Sequence, residues 1–238
     1  MKNNVILILL CIISFMMTWL TLFIISYKNS RVRNKIAMGI ATHTKIPVGY
    51  AYSIFATIFY SGMPIIGSLI LSKAFRFNIS ELFRVNDNIT NYIIIGELSV
   101  LSLSSLPLVI LVVANPGIQI DKEMKQVNWI SGISKIPGKW SMLIPCISAC
   151  CEEFFFRGIV LGILISAKVP FFVASIITTI LFMVSQMVLA KKNIQAFVLG
   201  TSSLAISIVS CLLIGVTGCI IPSFVIHASF ASFYSSRK

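Results

Sequence analysis

The chain alternates long apolar runs with short polar segments that are mostly basic. Residues 5–27 hold 23 positions without a charge, and ~20 apolar residues in a helix cross a hydrocarbon core of ~30 Å. The run is too long for the apolar region of a signal peptide, and no small-residue cleavage signal follows it. It predicts a retained membrane helix. Further apolar runs predict spans over 46–71, 92–114, 141–167, 169–190, 194–215 and 217–234. Gly62 and Pro64 predict a kink in the second span. Pro170 opens the fifth, where a proline is tolerated, and Gly215 and Gly218 separate the last two.

The polar stretches read as connections. Residues 28–45 form one, with His43 as a solvated loop histidine. Residues 73–91 form a mixed loop with apolar positions at Phe75, Phe77, Leu82 and Phe83. The longest, 115–139, carries Pro116-Gly117 and Pro137-Gly138 turn signals, and Trp129 and Trp140 suit a membrane interface. The fold class predicted is all-α: a polytopic transmembrane helical bundle of about seven spans, a single domain over 1–238, in the cell membrane.

Composition agrees. The chain is 57% hydrophobic and 11% charged, with a mean hydropathy of +0.96, whereas soluble domains carry about 25% charged residues. The net charge is +12. In a soluble chain that would point to nucleic acid. Here the basic residues sit in short loops, so topology and anionic lipid headgroups account for them, and no nucleic-acid partner is expected. With the segment after the first span on the cytoplasmic side, thirteen Lys and Arg fall inside and five outside, and Arg157 lies within the membrane. The positive-inside rule then puts the C-terminus inside. All six cysteines lie in apolar runs and do not form a disulfide framework. Cys146 and Cys150 share a helix face, which reads as core packing better than as a metal site.

One stretch breaks the apolar pattern from within. Glu152, Glu153 and Arg157 stand in the middle of 141–167. Each ionisable group at that depth costs at least ~2.5–3.5 kcal/mol, so three together imply function by default. Glu153 and Arg157 are one turn apart with the acid first, the favourable order for an ion pair. Glu152 points about 100° away, which leaves it free for chemistry. The bland alternative is a charge cluster that only sets helix register. Glu97, near the start of the third span, reads as a snorkelling or helix-bonding acid. Gln186 in the fifth span can donate and accept hydrogen bonds, and its ordinary role would be helix–helix bonding. His227 is the one intramembrane histidine, and Glu152 is its expected partner.

Glu152-Glu153, three residues, Arg157-Gly158, then Phe182 with Gln186 four residues on, then His227 with Ala231 four residues on, resembles the CAAX prenyl protease and bacteriocin-processing (CPBP, formerly Abi) intramembrane proteases. The resemblance covers 141–235. It implies a helical fold around a polar intramembrane cavity and an endopeptidase acting on a membrane-associated or prenylated peptide. Glu152 and His227 would be catalytic: Glu152 would activate water, and His227 would stabilise the oxyanion. Glu153, Arg157 and Gln186 would support them. Gln186 stands where that family has histidine, and Ala231 where it has asparagine. Losing one oxyanion donor costs ~10²–10³ in rate. Zinc is disfavoured, because a catalytic zinc site wants three protein ligands and the site offers Glu152 and His227, with Glu153 already paired to Arg157, so no cofactor is expected. Two other functions fit the residues: an impaired relative that binds a peptide or confers bacteriocin self-immunity, and a carrier with an acidic proton or cation path. The lack of an internal repeat counts against the carrier.

Overall fold

The computed structural model describes residues 4–85, 88–133, 136, 138 and 140–236, without the side chains of 128 and 233–236. Every element among them is helical. Helix α1 runs over Val5–Lys28, its last turn, Ile24–Lys28, being π-helical. The Asn4 side chain caps its start by accepting from the Ile6 N–H. α1 is apolar all round, yet it buries one stripe only: Ile8, Ile12, Met16, Trp19, Phe23 and Tyr27. Those positions recur every three or four residues and so share a face. Leu7, Leu10, Ile13 and Met17 on the other faces are exposed.

The basic segment after α1 is a helix, not a loop. α2 spans Ser30–Thr44, capped by the Asn29 side chain, which accepts from the Arg31 and Val32 N–H groups. His43 is exposed on its last turn. α3 spans Val48–Phe75 with a π-helical turn at Ile58–Gly62. Pro64 follows and cannot donate to the Tyr60 carbonyl, so the expected distortion takes the form of a widened turn. A 3₁₀ turn, Ile79–Phe83, buries Leu82. α4 spans Ile89–Ala114 and lies outermost, with only 11% of its apolar window buried. The longest predicted loop contains two short helices, α5 (Ile120–Lys125) and α6 (Asn128–Ile133).

α7 crosses 140–166 in three parts: an α-helix Trp140–Glu153, a π-helical stretch Phe154–Val160 and an α-helix Leu161–Ser166. α8 spans Phe171–Met187, α9 Asn193–Thr217 and α10 Ile221–Ser236. α9 continues through Gly215 and stops at Gly218, whose φ of +66° is the left-handed cap that glycine adopts without strain. Among the described residues four helices are long and apolar enough to cross a membrane: α1, α3, α4 and α9. α7 misses that group through its three central charges, and α8 and α10 through their length.

Aromatic side chains join the first half to the second. Trp19 meets Tyr60 at 5.5 Å, Phe155 at 6.1 Å and Phe156 at 6.2 Å between ring centroids. Each such pair contributes ~0.5–1.5 kcal/mol beyond burial. That matters between membrane helices, where lipid is as apolar as the partner and packing drives association.

The basic segments gather at one end. Lys28 Nζ donates to the Ala190 carbonyl, Arg33 stacks over Tyr27 and Tyr52, and Lys192 Nζ lies 2.7 Å from Glu123 Oε2. At the other end the Ile220 N–H donates to the Leu82 carbonyl. Lys2, Lys135, Lys139, Arg237 and Lys238, which also enter the charge count, lie outside the described residues.

Candidate functional site

The π-helical stretch of α7 begins immediately after Glu153. Its N–H of Leu161 reaches back five residues to the Phe156 carbonyl. The widened turn buries Phe155, Phe156, Arg157, Gly158, Ile159 and Val160 consecutively, so this stretch is enclosed on all sides. Glu152 is 5% exposed, and Glu153 and Arg157 are 0% exposed. π-helical turns of this kind recur at functional sites.

The two carboxylates have separate partners. Glu153 Oε1 lies 2.9 Å from His227 Nδ1 and 3.1 Å from Arg157 Nη1. The guanidinium sits close to its counterion but off the hydrogen-bond direction, and its three nitrogens make no hydrogen bond within the described residues. It rests instead on the Phe182 ring, 4.1 Å from the centroid, a contact worth ~2 kcal/mol when desolvated. His227 meets the same ring edge-on at 5.5 Å. Phe182 is therefore shared by the arginine and the histidine.

Glu152 turns the other way. Its Oε2 accepts from Gln186 Nε2 at 2.9 Å. The partner of His227 is thus Glu153 rather than the expected Glu152. The ~100° between successive helical residues presents Glu153 to α10 and Glu152 to α8.

Glu152 and His227 meet again at a pocket of ≈ 80 Å³. That is room for several waters at ~10–15 Å³ each. Tyr60, Trp129, Pro145, Gln186 and Ala231 are among its walls. The Tyr60 hydroxyl donates to the Ser185 carbonyl at 3.1 Å, which fixes the ring. Most of the remaining lining is apolar: Ala56, Ile133, Ile144, Ala149 and Leu189. A second pocket of ≈ 70 Å³ shares Trp129, Gln186, His227 and Ala231 with the first.

Other candidates fall elsewhere. Glu97 meets the Ser229 side chain of α10. Cys146 Sγ donates to the Ala228 carbonyl at 3.5 Å, and the six cysteines are free thiols. Among the described residues no three His, Cys, Asp or Glu side chains come together as a metal site. Trp140 is 60% exposed. Trp129 is half-buried and borders both pockets, and its Nε1 has no hydrogen-bond partner among the described residues. Trp129 and Ser202, which border these pockets, were not singled out as site residues by their sequence pattern. A tryptophan in a polar loop and a serine in an apolar helix carry no local signal of a cavity.

Residues 93–237 match a family of unknown function, DUF5968. The stretch includes Glu152, Glu153, Arg157, Gln186 and His227. No curated protein and no solved structure matches the chain. The resemblance to the CPBP proteases is corrected by that match: the family is a different one, and no protease family accompanies it. The physical reason lies in how little the shared motif specifies. An acid and an arginine one turn apart neutralise each other on any buried helix, Glu153 and Arg157 do so here, and Gln186 and Ala231 break the other two motifs. The chain belongs to the DUF5968 family, whose function is unknown.

Proposed function

We propose that the chain is a multi-pass protein of seven spans, α1, α3, α4 and α7–α10, with a membrane-embedded site that hydrolyses a peptide bond by means of a carboxylate-activated water. One observation carries this reading: Glu152 and His227 border one pocket with room for several waters, and each is oriented by a different buried partner. Glu152, held by Gln186, takes the proton of the water. His227, with Nδ1 committed to Glu153, keeps Nε2 for the substrate. An acid orienting an imidazole in this way is the arrangement that base-assisted hydrolysis uses, and a positioned general base contributes ~10²–10⁴ in rate. The pocket is bordered by α6, by the first half of α7 and by the last turn of α8, so it faces the basic, cytoplasmic end.

The test uses the full chain in lipid nanodiscs with a defined library of apolar peptides and mass-spectrometric detection of new termini. The wild type is expected to cut a subset that Glu152→Gln leaves intact. A folded wild type that cuts nothing removes the hydrolase reading. A second reading, peptide binding without turnover, draws support from the mainly apolar walls and from Ala231, which offers no donor. Saturable binding that Glu152→Gln leaves unchanged would favour it.

A further inference from the structure

We infer that Ser148 binds a main-chain carbonyl of the peptide, one helical turn before Glu152, an assignment that rests on the reading of the first pocket as a peptide site. Ile144, Pro145, Ser148, Ala149 and Glu152 are the α7 residues that border this pocket. Their spacings of three and four residues place them on one helix face. Ser148 stands in the middle of that face. Side chains four apart on a helix are neighbours, so Ser148 and Glu152 stand one above the other on the pocket wall. Ser148 is the nearer of the two to the Trp140 end of α7, which is the cytoplasmic end.

Three hydroxyl side chains border the pocket, and two are committed. Thr57 Oγ1 donates to the Ser53 carbonyl at 2.8 Å, and the Tyr60 hydroxyl donates to the Ser185 carbonyl at 3.1 Å. Ser148 has no hydrogen-bond partner among the described residues. A serine in an apolar helix can donate back to a carbonyl three or four residues earlier, as Ser185 and Ser203 do. Ser148 does not. Nor is its oxygen sealed. Ser53, Ser61 and Ser202 carry unpartnered hydroxyls that are fully enclosed, whereas Ser148 is half-exposed on the pocket face. Its O–H is a donor that a ligand can reach. Glu152 is in a similar position, because its hydrogen bond from Gln186 uses Oε2 and leaves Oε1 to the pocket.

The chemistry of the ligand follows from these neighbours. Peptide N–H and C=O groups at membrane depth find no partner in lipid, so a site that takes an extended chain must supply some. Most of this wall is apolar, and Ser148 adds one unused donor to it. A carboxylate ligand would stand one turn from Glu152, so a neutral main-chain carbonyl is the better fit. Four helical residues rise ~6 Å, and an extended chain advances ~3.3 Å per residue. A peptide lying along α7 therefore meets Ser148 about two residues from the bond that faces Glu152. Ser148 takes no part in bond-making.

The experiment separates this contact from turnover. The probe is radiolabelled N-acetyl-tetraleucine amide, added to the full-length Glu152→Gln protein in nanodiscs. In Glu152→Gln with Ser148→Cys, a small methanethiosulfonate should modify position 148, located by mass spectrometry, while buried Cys211 and Cys219 stay unmodified. Peptide at ten times its Kd should slow that modification about tenfold. Ser148→Ala, which needs no reagent, should weaken peptide binding about two- to tenfold, the worth of one neutral hydrogen bond. Replacing each peptide carbonyl in turn by a thiocarbonyl, a weaker acceptor, should find one position that costs affinity with Ser148 present and nothing with Ser148→Ala. Absence of saturable binding, an unprotected position 148, or equal affinity in Ser148→Ala overturns the assignment. Protection and a Ser148-dependent carbonyl in a chain whose wild type cuts nothing keep Ser148 as a peptide-binding residue and remove the hydrolase reading alone.

Discussion

His227 Nδ1 lies 2.9 Å from Glu153 Oε1, the same oxygen that stands 3.1 Å from Arg157. One carboxylate oxygen therefore balances a permanent cation and orients a histidine 74 residues away along the chain. Glu153→Gln should strand Arg157 in a site with no other counterion in contact among the described residues. Breaking one partner of a buried pair costs ~3–5 kcal/mol. Thermal unfolding in detergent should show a clear loss of stability for Glu153→Gln and a much smaller one for Glu152→Gln, whose amide oxygen can still accept from Gln186. Equal losses would make Glu152 a structural residue.

Phe182 carries Arg157 on its face and His227 at its edge. Phe182→Leu keeps most of the apolar volume and removes the π system. The expected cost is about 2 kcal/mol, the value of a desolvated cation–π contact, together with a change in the His227 ring signals in NMR. Retained stability and unchanged histidine signals would show that the ring acts only as filler.

Gln195 ties α9 to the segment that carries Trp129. Its Oε1 accepts from the Lys191 and Lys192 N–H groups, and its Nε2 donates to the Glu123 carbonyl. Hydrogen exchange over 120–133 should speed up markedly in Gln195→Ala, because three buried or half-buried hydrogen bonds are lost together. Lys192→Ala removes only a half-exposed pair with Glu123, and such pairs contribute ~0–1 kcal/mol. It should leave exchange there nearly unchanged.

The gathering of Lys28, Arg33 and Lys192 with their partners at one end bears on orientation. A reporter fused after Lys238 should read cytoplasmic, and one inserted between Arg76 and Asn78 should read external. The opposite pattern would overturn the orientation and, with it, the access of the site from the cytoplasm.

Much of this protein was set by local sequence. Apolar runs placed the helices, because a backbone in lipid must satisfy its own hydrogen bonds. The one-turn spacing of Glu153 and Arg157 brought them within 3.1 Å, because a helix puts such positions on one face. Gly218 ends α9, because glycine accepts a positive φ. The basic segment 28–45 reads as a connection because Lys and Arg interrupt it, although Ile36, Ala37, Ile40 and Ala41 recur at helical spacing and are the side that α2 packs inward.

Only the tertiary structure decided the rest. α1 is apolar on every side, so nothing local chose Trp19 over Met17 for the interior; packing against Tyr60 and Phe156 did. The partner of His227 depended on which neighbouring helix each of two adjacent carboxylates faces. The placing of Trp129 and Ser202 at one pocket depended on α6 folding back against the bundle. Those are contacts between residues far apart in the chain, and periodicity within a single helix carries no information about them.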